Sequence, residues 1–280
     1  RDAILSDEAT PATKGKIFGF HRSWDTLGAV LGPSLALLYL YFYPKNYTHL
    51  FYIAFIPGII AVIFSFVLKD KKQTIITAKK ATSFFSFLKY WKTSPIIYRK
   101  VVLGLLAFTL FNSSDVFLLL KAKQAGLDDT MVIGVYIFYN LIYALFSFPL
   151  GTLADKIGLK KMFVIGLILF AIVYFGMSIS NDIYAFTGLF FLYGIYAAAT
   201  EGISKAWISN ITDKKDTATA IGTYSGFQSI CTMLASSIAG LVWFKFGASA
   251  TFIISGIIAA LVALYFIFVT KTDKQPALKL

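Results

Sequence analysis

Of 280 residues, 58% are hydrophobic and only 14% charged, and the mean hydropathy is +0.72. A soluble domain carries about 25% charged residues, so no single core hides this apolar surface and a bilayer is its natural solvent. The net charge of +12 sits in short loops between apolar runs, which argues against nucleic acid as a partner, and the lone Cys231 excludes a disulfide or a zinc site.

A membrane helix needs about 20 mostly apolar residues. The segments 18–42, 50–68, 98–120, 131–153, 162–180, 183–208, 218–244 and 250–270 qualify. The fold class is therefore an all-α integral membrane protein with eight visible transmembrane helices. Ahead of them, Arg1-Asp2-Ala3-Ile4-Leu5 reads as the tail of a helix already under way, so the start of the protein is expected to be missing. In the first span, Arg22 and Asp25 are spaced to share a helix face, as are His21 and Asp25. A charge at a helix centre costs about 2.5–3.5 kcal/mol. Asp25 lies deep enough to need a partner, and Arg22 is the local candidate.

Between the second and third spans, nine lysines and arginines fall from Lys69 to Lys100. The stretch 155–161 and the tail from Lys271 are also basic, whereas the intervening turns are poorer in positive charge. The positive-inside rule places the basic set, residues 6–17 and the C-terminus in the cytoplasm, as expected of a multi-pass protein of the plasma (inner) membrane. Within the linker, Phe84, Leu88 and Trp91 recur at helical spacing beside Lys89 and Lys92. This pattern predicts a helix on the inner membrane surface; an irregular solvated linker is the alternative.

The third span carries Asn112-Ser113-Ser114-Asp115, with Asn112 and Asp115 expected on one helical face. Intramembrane acids usually face a cavity. The fourth span offers Tyr136, Asn140 and Tyr143 at a similar depth, and the sixth offers Tyr193, Tyr196 and Thr200. Together they suit a mostly aromatic cavity for an amphipathic ligand, in which the acid could attract a cation. Taken singly, each tyrosine fits interhelical packing equally well. Glu201 and Lys205, four apart, fit either a local salt bridge or an inner gate.

Between the fourth and fifth spans lies Gly151-Thr152-Leu153-Ala154-Asp155-Lys156-Ile157-Gly158-Leu159-Lys160-Lys161. Asp155 can accept bonds from free amides at a neighbouring helix N-terminus, where the dipole favours an anion. Lys156, Lys160 and Lys161 can pair with acids or lipid phosphates. A weak internal repeat also runs along the chain. Ala3-Ile4-Leu5-Ser6 aligns with Ala206-Trp207-Ile208-Ser209, and on the same offset His21 meets Tyr224 and Asp25 meets Gln228. Repeated membrane halves are a transporter habit.

The stretch from Gly151 to Lys161 resembles the loop motif of the major facilitator superfamily. Gly28-Ala29-Val30-Leu31-Gly32-Pro33 resembles the glycine-proline motif of that superfamily's exporters, with Leu35-Ala36 where the family form continues to a glycine pair. Asn112-Ser113-Ser114-Asp115 and Thr200-Glu201-Gly202 resemble a drug-efflux-like prokaryotic branch. The resemblance implies a twelve-helix, two-half fold of which this chain holds helices five to twelve. Residues 1–68 would end the first half, 69–97 would be the linker, 98–270 the second half and 271–280 the tail. It implies a gating loop of Gly151, Asp155, Lys156, Gly158, Lys160 and Lys161, and a helix-five motif of Arg22, Asp25, Gly28, Gly32 and Pro33. The candidate substrate or proton site comprises Asn112, Asp115, Tyr136, Asn140, Tyr143, Tyr193, Tyr196 and Glu201.

The expected function is secondary active transport of a small organic solute by a proton-coupled exporter, with no cofactor or metal. The partners are the solute, protons and the lipid bilayer. A facilitative or importing carrier, or a non-transporting scaffold or receptor, are the alternatives. An intramembrane enzyme is disfavoured because Asp115 has no second aspartate placed at its depth. These 280 residues alone are not expected to transport.

Overall fold

The computed structural model describes residues 2–67 and 86–269. The run Lys69–Lys80, Phe84 and the tail from Lys271 lie outside the described residues. The described elements are helical: α1 (Asp2–Asp7), α2 (Lys14–Phe42), α3 (Tyr47–Val67), α4 (Ser86–Thr93), α5 (Ile96–Thr109), α6 (Val116–Gln124), α7 (Asp129–Ile157), α8 (Leu159–Ile179), α9 (Ile183–Asn210) and α10 (Thr217–Val269). Six of these are long and apolar enough to cross a membrane. α10 breaks at Gly247, which has φ +86°, and so supplies two arms. α5 and α6 together cover one further span.

Two expected boundaries are corrected. The span 98–120 is not one helix: residues 110–115 leave the helix between α5 and α6. Asn, Ser and Asp compete with the backbone for its own hydrogen bonds, which disfavours helix at Asn112-Ser113-Ser114-Asp115. Conversely, the charged stretch at 151–161 is not an open loop. α7 continues to Ile157, α8 begins at Leu159, and Gly158 alone separates them. Its φ of +104° is a backbone region that glycine enters without steric cost.

Start signals fit the sequence at two helices. Asp128 accepts from the Met131 N–H at 2.8 Å, and Asp182 from the Ala185 N–H at 2.9 Å, each satisfying a free amide of the first turn. The core forms where α8 packs against α9 and α10, and α7 against α9. Phe163, Phe170, Tyr174, Phe252 and Phe266 fill it with ring-to-ring contacts. α3 lies apart and buries none of its residues between Tyr47 and Phe64; so large an apolar surface requires hydrocarbon or protein around it.

One face of the linker helix packs against the rest of the protein. Trp91 packs edge-on against Tyr98 and Phe227, and Tyr90 against Tyr98. Tyr98 is fully buried and donates to the Ala220 carbonyl at 2.8 Å. Aromatic packing thus ties this face of α4 to α5 and α10.

Candidate functional site

α2 and α7 run antiparallel and touch along small residues. A Cβ on Gly15 would stand 2.4 Å from the Gly151 carbonyl oxygen, and one on Gly19 would stand 2.4 Å from that of Ser147. Backbone oxygens cannot swing aside, so only glycine permits this approach. One turn beyond Gly151, Asp155 completes the stripe. Its Oδ1 accepts from the Gly15 N–H at 2.7 Å and its Oδ2 from the Lys16 N–H at 2.8 Å. The carboxylate thus caps the positive end of α2, as expected of an anion at a helix N-terminus. Further along the seam, the Ser23 hydroxyl donates to the Ala144 carbonyl at 2.7 Å and accepts from the Phe148 N–H at 3.1 Å.

Of the neighbouring lysines, Lys156 and Lys161 are exposed and Lys160 is half-buried. A Cβ added to Gly28 or Gly32 would meet no other element among the described residues within 4 Å. Pro33 lies inside α2 without ending it.

A second layer of contacts joins α1 and α2 to α9. Arg22 donates to Asp25 at 3.1 Å and to Glu201 at 3.0 Å. Lys205 pairs with Asp2 at 2.6 Å, with both side chains largely buried. The i,i+4 pair Glu201–Lys205, open to a local salt bridge on spacing alone, instead directs both charges across the seam. Buried Lys14 donates to the Ser6 hydroxyl at 2.7 Å, to the Ser209 carbonyl at 3.2 Å and to the Ser209 hydroxyl. The two serine hydroxyls are themselves 2.9 Å apart. Ser6 and Ser209, like Asp2 and Lys205, are 203 positions apart, the offset of the internal repeat.

Beyond this seam lies a cavity of about 380 Å³ lined by residues of α5, the 110–115 break, the start of α6, α7, α8, α9 and α10. Asn112, Asp115, Tyr136, Tyr196 and Glu201 all line it, as do Tyr224 and Gln228. The break, rather than a helix face, presents Asn112 and Asp115. Asp115 accepts from Tyr139 at 2.6 Å and from Tyr193 at 2.5 Å. Asn112 donates to the Tyr196 hydroxyl at 3.0 Å. Tyr139 packs against the rings of Tyr136 and Tyr193, and Tyr193 against that of Tyr196.

Three expected residues stand back from the lining. Tyr193 reaches it through its bond to Asp115. Asn140 donates to the carbonyl of Tyr136 in its own helix at 2.9 Å, and Tyr143 is buried. Sequence reasoning missed Tyr139, although it sits between Tyr136 and Tyr143 at the i+3 and i−4 positions of the same stripe. It also missed Gly15 and Gly19, the partners of Gly151 and Ser147 in the seam. Gly15 to Gly19 and Ser147 to Gly151 are small residues four apart in apolar helices, a known sign of close helix contact.

Comparison with known proteins places this geometry. An uncharacterized MFS-type transporter of Methanocaldococcus jannaschii is 34% identical over 275 residues, covering 96% of this chain and 67% of that protein. The crystal structure of the human organic anion transporter MFSD10 (TETRAN) matches with a TM-score of 0.81 at 15% identity, over 95% of this chain and 66% of that one. The chain therefore spans about two thirds of the length of each of these proteins. Residues 102–279 match the Major Facilitator Superfamily. With that match and the relative's identity, the chain belongs to the Major Facilitator Superfamily.

Proposed function

We propose that the protein is a secondary active transporter of a small organic solute, a proton-coupled exporter working by alternating access. The observation that carries this reading is a seam closed at one end. Every buried residue of α2 falls between Lys14 and Val30, and none falls in its remaining residues to Phe42. The contacts of Asp155, Lys14, Arg22 and Lys205 lie on the closed part, and the cavity lies beyond it. A seam of this kind suits a switch in which one set of helices rocks against the other around a central site. The density of basic residues near the closed end favours a cytoplasmic position for it, in the plasma membrane.

The charges at the seam support proton coupling as part of this reading. Asp25 and Glu201 share one guanidinium, Arg22. A proton on Glu201 removes its charge and weakens the α2–α9 contact, so protonation favours opening of the closed end. Deprotonation restores the clamp. Imposing a pH gradient on proteoliposomes of the whole protein tests this. Solute is expected to accumulate against its own gradient, and Glu201→Gln is expected to abolish accumulation while retaining downhill flux. Flux indifferent to the pH gradient would make the protein a facilitative carrier; ligand-induced stabilisation without any flux would make it a scaffold or receptor.

A further inference from the structure

We propose that the solute bound in this cavity is a lipophilic organic cation, held against Asp115. The inference rests on the carrier reading above and deepens it. Among the described residues lining the cavity, the charged ones are Asp115 and Glu201, both acids, and the lining includes no lysine, arginine or histidine. Glu201 has Arg22 as a counter-charge. Asp115 differs: both its oxygens are occupied by tyrosine hydroxyls. Hydroxyl donors stabilise the carboxylate and fix its orientation, but they are neutral and leave its full negative charge in place. The carboxylate is thus bonded and yet electrically unmatched.

The aromatic part of the wall fits the same class of ligand. Phe108, Tyr136, Phe163, Tyr196 and Tyr224 line the cavity, and aromatic faces attract cations through their ring quadrupoles. A bare metal ion needs several oxygen ligands around it, and among the described residues no group of three or more His, Cys, Asp or Glu is placed to hold one. An anion would meet the Asp115 charge with no base opposite it, at a cost that grows as water is excluded. A large, weakly hydrated cation satisfies both the charge and the apolar surface.

Tetraphenylphosphonium and its near-isosteric anion tetraphenylborate separate charge from shape. Binding of each to the whole purified protein would be measured above that to protein-free micelles. The cation is expected to bind at least about tenfold tighter than the anion. Asp115→Asn should remove most of that preference by weakening the cation. Tyr139→Phe should keep it, because the charge remains. Equal or tighter binding of the anion overturns the proposal, as does an unchanged preference in a folded Asp115→Asn protein. If that variant does not fold, the ratio in the unaltered protein decides alone. A lost preference with solute flux intact sinks the cation inference and leaves transport standing. A preferred cation that is never moved does the reverse.

Discussion

Asp155 and Asp115 are both half-buried carboxylates with both oxygens occupied, yet their donors differ in kind. Asp155 faces two backbone amides at the positive end of α2, whereas Asp115 faces two side-chain hydroxyls. Replacing Asp155 with alanine leaves the Gly15 and Lys16 amides without their acceptor and removes the charge that complements the helix dipole. The expected cost is about 1–2 kcal/mol, read as a lower melting temperature of the purified protein. Asparagine, which keeps one acceptor oxygen, should recover part of it. The role of Asp155 was legible in the sequence because a charged turn beside an apolar run leaves an acid few other uses. Asp115 was legible as an intramembrane acid. Its partner Tyr139 was passed over because counting by fours from Tyr136 reaches Asn140 and omits the residue three positions on. Lys14 read only as one more positive charge at the membrane edge, since nothing local reveals that a lysine will be drawn into hydroxyl and carbonyl oxygens from a distant helix.

Among the elements, α9 shows how tertiary contacts override a local pattern. Glu201 and Lys205 stand in the order that favours an intrahelical pair, but Arg22 and Asp2 draw them apart. The Asp2–Lys205 pair is the more enclosed contact, so reversing one of its charges should destabilise the protein and reversing both should restore most of the loss. A double-mutant cycle with Asp2→Lys and Lys205→Asp is expected to show a coupling of about 1–3 kcal/mol. Additive effects would mean that the pair contributes nothing of its own. Span positions were readable from apolar length alone, because the bilayer fixes how many residues a helix needs. Helix ends were less so. Charge made the stretch from Gly151 to Lys161 look like a loop, although α7 needs only one glycine to end. The apolar residues flanking Asn112-Ser113-Ser114-Asp115 concealed a break. The Trp91 face of α4 carried an amphipathic signal that fits lipid and protein equally, and nothing local reveals that Trp91 meets Tyr98 and Phe227.

At the scale of the molecule, contact between α1–α2 and α7–α9 concentrates at one end, and locking that end should stop any motion that depends on opening it. The Ser6 and Ser209 hydroxyls are close enough for cysteines there to be joined with little backbone movement. With Cys231 replaced, the Ser6→Cys, Ser209→Cys protein is expected to lose most solute flux on oxidation and regain it on reduction. Undiminished flux in the oxidised form would mean that this contact persists throughout the cycle. The same contact bears on how a repeated chain can close on itself. A residue that touches its own repeat counterpart lies beside the axis relating the two copies, as in an isologous dimer. At such a place identity suits a hydroxyl, which both donates and accepts, and the chain has serine at both 6 and 209. Identity does not suit a charge, because like would meet like. One helical turn away the counterparts have diverged to Asp2 and Lys205. Two copies of one unit can remain alike at the first position, but they can form an ion pair at the second only by ceasing to be copies there.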